Sequence, residues 1–397
     1  MKTIVRVLLI ALVVSLLSQC KKEPEFINIK DDNFLNALIE QGVDKNSDGI
    51  ISANEAAQVH FLDVNWCYIS DLKGIEAFVN LDTLDCSINQ LTSLDVSNNT
   101  SLKMLWCDQN ILTTLDFSKN TALTGLDCIY NRLTRLDVSN NTALEHLDCG
   151  ANQLTSLDVS KNTALTELSC GSNQLSSLDV SNNTALEHLD CSVNQLTSLD
   201  VSNNIALKVL NCVGNKLTNL DVSINTALTE LSCWWNQLTS LDVSNNTALS
   251  HLWCDDNQIT SLDVSKNTAL TELSCGSNQL SSLDVSNNTV LSHLWCYDNQ
   301  INSLDLSNNT VLTQLYCAGN PLTSLNVSNN TALTSLWCDD NQLTSLDVSN
   351  NIALTGLDCS SMPSLYKVCV WTIPFPPAGV QVDTTGSPNV YFTTACN

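Results

Sequence analysis

Cysteine recurs every 21 residues without a break from Cys86 to Cys359, fourteen times. A chain of 397 residues is long enough for several ordinary domains, but a period this strict counts modules instead. Around each cysteine runs L-x-x-L-x-C-x-x-N-x-L-x-x-L-D-V-S, as in Leu81, Leu84, Cys86, Asn89, Leu91, Leu94, Asp95, Val96 and Ser97. One such unit is too small to bury its own apolar side. The core must therefore come from stacking each copy on its neighbours.

The period of two in a strand then sets which side chains can meet. In HLWCDDNQ, residues 251 to 258, Leu252 and Cys254 point inward, while His251, Trp253 and Asp255 point outward. A stretch that looks like a metal or catalytic cluster is divided by the sheet itself. The cysteine is expected to be a small buried hydrophobe. Side chains stacked directly on parallel strands rarely meet disulfide geometry, so fourteen free thiols are expected, although eighteen cysteines in an exported chain would ordinarily suggest a disulfide framework.

The pattern resembles the leucine-rich repeat, with cysteine where that family usually has its third leucine, over residues 62 to about 362. The resemblance implies an α/β repeat solenoid: an arc with a parallel β-sheet on its concave face, a helical N-terminal cap and a small β C-terminal cap. It also implies that the asparagines from Asn89 to Asn341 bond the backbone of the turn. Cys67 occupies that position in an earlier, slightly longer repeat, Leu62 to Thr83, where Val64 replaces the inward cysteine. Asp95, Asp116 and ten more aspartates stack on the other face, where like charges repel by ~0.2 to 1 kcal/mol per pair. Bonding to the following Ser, Asn and Thr backbone, or plain solvation, is expected there, with a cation-binding ladder as the alternative.

The two ends differ. Residues 1–19 carry Lys2 and Arg6 and then an apolar run, as a secretory signal does, and Leu17, Ser18, Gln19 and Cys20 resemble the lipobox of bacterial lipoproteins. Lipidation at Cys20 and an outer-membrane, surface-exposed location are expected, with ordinary secretion as the alternative. Residues 20–61 form the anchored segment and cap. Within it DKNSDGIISANE, residues 44 to 55, resembles the EF-hand calcium loop. The resemblance implies one structural Ca2+ held by Asp44, Asn46, Asp48, the Ile50 carbonyl, Ser52 and Glu55, with Gly49 at the sharp turn. Residues 363–397 are expected to form the C-terminal cap, closed by a Cys369–Cys396 disulfide.

Removing Lys2 and Arg6 with the signal takes the formal charge from −25 to −27. Nucleic acid is excluded as a partner by that balance. Residues 141 to 191 and 246 to 296 are near copies whose differences, such as Asp148 against Trp253 and Asp190 against Trp295, fall on the outward strand positions or the bend after them. A scaffold that varies on one face behaves as a recognition surface. Exposed aromatics rimmed by polar groups mark such surfaces, and the candidate ligand-binding residues are Trp106, Trp234, Trp235, His251, Trp253, Asp255, His293, Trp295, Tyr297, Tyr316, Trp337 and Asp339. Mutual shielding of the aromatics is the alternative. No nucleophile or metal trio gathers around His146, His188, His251 or His293, so no enzyme is expected. The sequence thus points to a monomeric cell-surface binding protein for an extracellular protein or peptide, or, as the second choice, for a glycan.

Overall fold

The structure is a computed structural model that describes residues 26–396. Its strands are β1 (Phe61–Asp63), β2 (Thr83–Asp85), β3 (Met104–Trp106), β4 (Gly125–Asp127), β5 (His146–Asp148), β6 (Glu167–Ser169), β7 (His188–Asp190), β8 (Val209–Asn211), β9 (Glu230–Ser232), β10 (His251–Trp253), β11 (Glu272–Ser274), β12 (His293–Trp295), β13 (Gln314–Tyr316), β14 (Ser335–Trp337), β15 (Ser345–Asp347), β16 (Gly356–Asp358), β17 (Lys367–Cys369), β18 (Gln381–Asp383) and β19 (Tyr391–Thr393). Sixteen of them form one parallel sheet in chain order, and β15, β17 and β19 form a second on the opposite side of the coil. The central leucines stay in register from strand to strand, as Leu84 with Leu105 and Leu105 with Leu126.

Each coil turns its apolar positions inward. Leu81, Leu84, Cys86, Leu91 and Val96 are all 0% exposed, and their equivalents repeat this along the chain. The ladder thiols are free, and eight of the fourteen donate to a carbonyl one strand on, as from Cys86 Sγ to Trp106 O at 3.4 Å and from Cys254 Sγ to Ser274 O at 3.4 Å. Burial pushes the Cys212 and Cys296 thiols up to about 12, so almost none is thiolate at neutral pH.

Two asparagine ladders close the bends. In the one expected from sequence, Asn110 Nδ2 donates to Cys86 O, Cys107 O and Asp108 O at 3.0 to 3.2 Å, and its Oδ1 accepts from Leu91 N at 2.9 Å. The second, from Asn99 to Asn351, was not foreseen. Asn204 Nδ2 donates to Val180 O at 3.0 Å and Asn183 O at 2.8 Å. It is 0% exposed, and the Oδ1 atoms of this ladder receive no donor. The signal was in the sequence: the residue before varies among Asn98, Lys119 and Ile224, while the asparagine itself does not change.

The aspartates of the ladder beside it bond locally. Asp95 and Asp200 each accept from the backbone N–H two residues on, at 3.0 and 2.9 Å. Hydrogen bonds from Ser97 and Ser202 hold their carboxyls below the usual range.

At the N-terminal end, helix α1 (Asp32–Glu40) starts on Asp31, whose carboxylate accepts from Asn33 N and Phe34 N. It buries Phe34 and Leu38, and Phe34 meets Phe78 at 6.5 Å between ring centroids. At the other end the coil continues past residue 363: β18 pairs with β16 in the main sheet, and β19 with β17. Ser387 replaces the ladder asparagine there, donating to Cys359 O at 2.9 Å and accepting from Met362 N at 2.9 Å.

Asn204→Ala removes the side-chain donor of Val180 O and Asn183 O, leaving each with one backbone donor, and is expected to cost about 1 to 3 kcal/mol, against less than about 0.5 kcal/mol for Asn203→Ala beside it, in urea unfolding followed by circular dichroism. Thiol titration of the unfolded, unreduced chain, Cys20 aside, is expected to find about fifteen groups if Cys369 and Cys396 have joined and seventeen if they have not. In the native state the ladder thiols stay unreactive.

Candidate recognition face

Three-residue strands expose two side chains each on the outward sheet face, and the register lines them up in columns. The column ending each strand reads Asp85, Trp106, Asp127, Asp148, Ser169, Asp190 and Asn211 in the first half. In the second half it reads Ser232, Trp253, Ser274, Trp295, Tyr316, Trp337 and Asp358. One half is carboxylate, the other aromatic.

In the aromatic half, Trp295 and Tyr316 are 6.0 Å apart between ring centroids, and Tyr316 lies on Trp337 at 4.1 Å, 8° from parallel. Trp337 stays 46% exposed. Beside the stack lies a cavity of about 560 Å3, which Tyr297, Asp298, Tyr316, Trp337, Asp339 and Asp340 help to line. Asp298 and Asp340 sit at the bend after the strand with φ of +49° and were missed from sequence, where they read only as turn residues next to the ladder asparagine. Burial first, and then the charge of Asp358, holds the Asp339 carboxyl above the usual range.

The remaining expected residues are placed differently. Trp253 is kept from the stack by Ser274 and lies instead on His251, at 5.3 Å. Glu272 stands between His251 and His293, with its Oε1 3.9 and 3.8 Å from their nitrogens. Asp255 was expected to be an outward carboxylate; it is 7% exposed. It folds back to accept from Ser274 Oγ and, at 3.0 Å, from Gly276 N, both on the next coil. Trp234 and Trp235 stack on each other at 6.4 Å at the bend after β9. Trp106 lies at the far end, on β3. Cys20 and the signal segment fall outside the described residues.

The 44–55 loop is folded around its own oxygens. Asp44 accepts from Asp48 N at 3.3 Å and Gly49 N at 2.9 Å, and Asn46 Oδ1 accepts from Asp48 N at 2.9 Å. Glu55 takes Lys45 N, Ser52 N and Ser52 Oγ at 2.8 to 2.9 Å. The donor set is all oxygen, which suits a hard cation such as Ca2+. Cys369 and Cys396 are brought together, but as free thiols. With Asp347 they are the one group of three metal-ligating side chains among the described residues whose ligand atoms lie within 4.8 Å of one another.

No protein-family model matches the chain, and no curated protein does. Among solved structures it is similar to the functional domain of InlJ from Listeria monocytogenes, described as including a cysteine ladder, with 41% identity, a TM-score of 0.77, and coverage of 81% of this chain and 70% of that one. A leucine-rich repeat protein of Leptospira interrogans matches at 24% identity and TM-score 0.62, over 79% of this chain and 81% of that one. The plant peptide hormone receptor RGFR1, in complex with RGF2, matches at 18% identity and TM-score 0.59, over 81% of this chain and 64% of that one. The last two likenesses show the fold alone. The chain belongs to the leucine-rich repeat proteins.

The carboxylate half makes a pH prediction. Burial, then the charges of Asp148 and Asp108, pushes the Asp127 carboxyl from 3.8 up to about 6. A raised folded-state value means that the native chain takes up this proton before the unfolded chain does, so stability rises as pH falls through 6 toward 4. Asp127→Asn is therefore expected to stabilise the protein by about 1 to 2 kcal/mol at pH 7, and the gain should vanish near pH 4.

Proposed function

We propose that the outward face of the main sheet, as the concave face of the solenoid, recognises a protein or peptide partner, as a monomer held at the outer-membrane surface by lipid at Cys20, and without catalysis. The observation that carries this is the Trp295, Tyr316 and Trp337 stack, in register on three adjacent strands beside an open cavity. Aromatic side chains lying on a rigid sheet lose little entropy on binding and serve as anchors. His146 pairs with Glu167, and His251 and His293 share Glu272; Ser250 and Ser292 Oγ lie 2.8 Å from Nδ1 of His251 and His293, and both hydroxyls also reach a backbone carbonyl, Thr229 O at 3.0 Å and Thr271 O at 2.9 Å. Glycan is the second reading: the exposed Trp337 ring beside Asp339 and Asp340 suits a sugar ring whose hydroxyls donate to carboxylates.

Wild type and Trp337→Ala, compared on a protein and peptide array and on a glycan array, test the two. The expected outcome is a protein or peptide signal weakened by about 2 kcal/mol, roughly 30-fold, in Trp337→Ala. A Trp337-dependent signal on glycans alone moves the ligand to the second reading, and signals indifferent to Trp337 overturn both.

We also propose that the 44–55 loop holds one structural calcium ion through Asp44, Asn46, Asp48, the Ile50 carbonyl, Ser52 and Glu55. Chelator is expected to lower the melting temperature of wild type, and Glu55→Gln to abolish the difference. A wild-type melting curve unmoved by chelator overturns the calcium site.

A further inference from the structure

We infer that a second pocket, in the carboxylate half of the same face, anchors a lysine or arginine side chain from a basic segment of the partner. This deepens the recognition reading and rests on it. The pocket, about 190 Å3, lies across β3 to β6, too small for a helix, whose diameter with side chains is about 10–12 Å. Its apolar wall is made by Trp106 and Met104. The Met104 thioether lies over Gly125, where an added Cβ would come within 2.6 Å of the sulfur. Its polar side is the Asp127 and Asp148 pair, in register on adjacent strands.

Among the described residues, neither carboxylate has a salt-bridge partner. Each bonds a backbone N–H two residues on, Asp127 that of Ile129 and Asp148 that of Gly150, both at 3.0 Å. Lys103 pairs with Asp82 at 3.0 Å and Lys208 with Glu187 at 2.7 Å, and His146, which also lines the pocket, pairs with Glu167 at 3.2 Å. Burial with like charges alongside holds both carboxyls above their ordinary range.

The occupant follows from this chemistry. An anion is repelled, and a neutral hydroxyl leaves the charge uncompensated. A bare metal ion lacks converging ligands, since three metal-ligating atoms do not gather within 4.8 Å here. A long side chain with an apolar stem and a cationic head meets both walls: the stem lies on Met104, the head reaches the carboxylates, and Trp106 adds a cation–π contact. The other end of the face repeats the combination, with Trp337 and Tyr316 beside Asp339 and Asp358, so an extended basic segment would find the same chemistry twice.

The probe is a fluorescein-labelled peptide of alternating lysine and glycine-serine, with its lysine-acetylated form as control, followed by fluorescence anisotropy at about 150 mM salt, where distant surface charge is screened. Trp106→Leu and Asp148→Asn are each expected to weaken binding about fivefold. Asp158→Asn, which removes one charge from the opposite face, should change it less than about twofold. Trp106→Leu keeps the charge intact and so separates the pocket from general attraction, and a melting curve for each variant confirms folding. Equal losses in Asp148→Asn and Asp158→Asn, binding unaffected by Trp106→Leu, or equal binding of the acetylated peptide each overturn the pocket. If the basic probe ignores the pocket while an array partner still depends on Trp337, only this inference falls. If the array partner ignores Trp337, the recognition reading falls first.

Discussion

From Asn89 to Asn341, each coil ends on a carboxamide borrowed from the next. The bend after each strand leaves carbonyls that no strand can reach, and one asparagine collects three of them while accepting an N–H, as Asn110 does for Cys86, Cys107, Asp108 and Leu91. Buried backbone groups without partners cost about 1 to 3 kcal/mol each. The bond set therefore sets the register as well as stabilising it, because a slip of one residue would break all four of these bonds at once. Register in turn fixes which side chains share a column on the outward face.

That face carries two chemistries with opposite energetics. In the aromatic half the rings cover one another, so Trp295 and Tyr316 are shielded and Trp337 alone among the three remains largely open. In the other half Asp127 and Asp148 are held side by side and partly buried, with no cation paired to either. The first arrangement serves the fold and a ligand alike. The second opposes the fold at neutral pH and is relieved by protonation or by a bound cation.

Much of the architecture was legible because its signals are periodic. The inward Leu252 and Cys254, the turn-bonding asparagines and the outward Trp253 follow from counting residues along the chain. What escaped was set by neighbours one coil away. Asp255 has outward parity, yet Ser274 and Gly276 on the following coil offer it two donors and it folds back to take them. Trp253 and Trp295 look equivalent in sequence, but Trp295 has Tyr316 on one side whereas Trp253 has serine on both, and only Trp295 joins the stack. The second asparagine ladder carried as strong a periodic signal as the first and was masked by its resemblance to an ordinary polar turn.

The residue just before each ladder asparagine separates what the fold requires from what it permits. Its backbone is left-handed in nearly every repeat, with φ of +65° at Gly214 and +61° at Gly319, and equally +53° at Ile88, +48° at Val193 and +56° at Trp235. The conformation comes from a bond to the next coil that is the same for each, Gly214 N to Trp234 O at 3.1 Å and Val193 N to Val213 O at 2.7 Å. Glycine adopts it freely, whereas a β-branched residue there costs about 1 to 2 kcal/mol. Val193 and Trp235 are 47% and 62% exposed, so little packing within the chain offsets that cost. The backbone at this position is dictated by the neighbouring coil, while the side chain is left to vary from glycine to tryptophan.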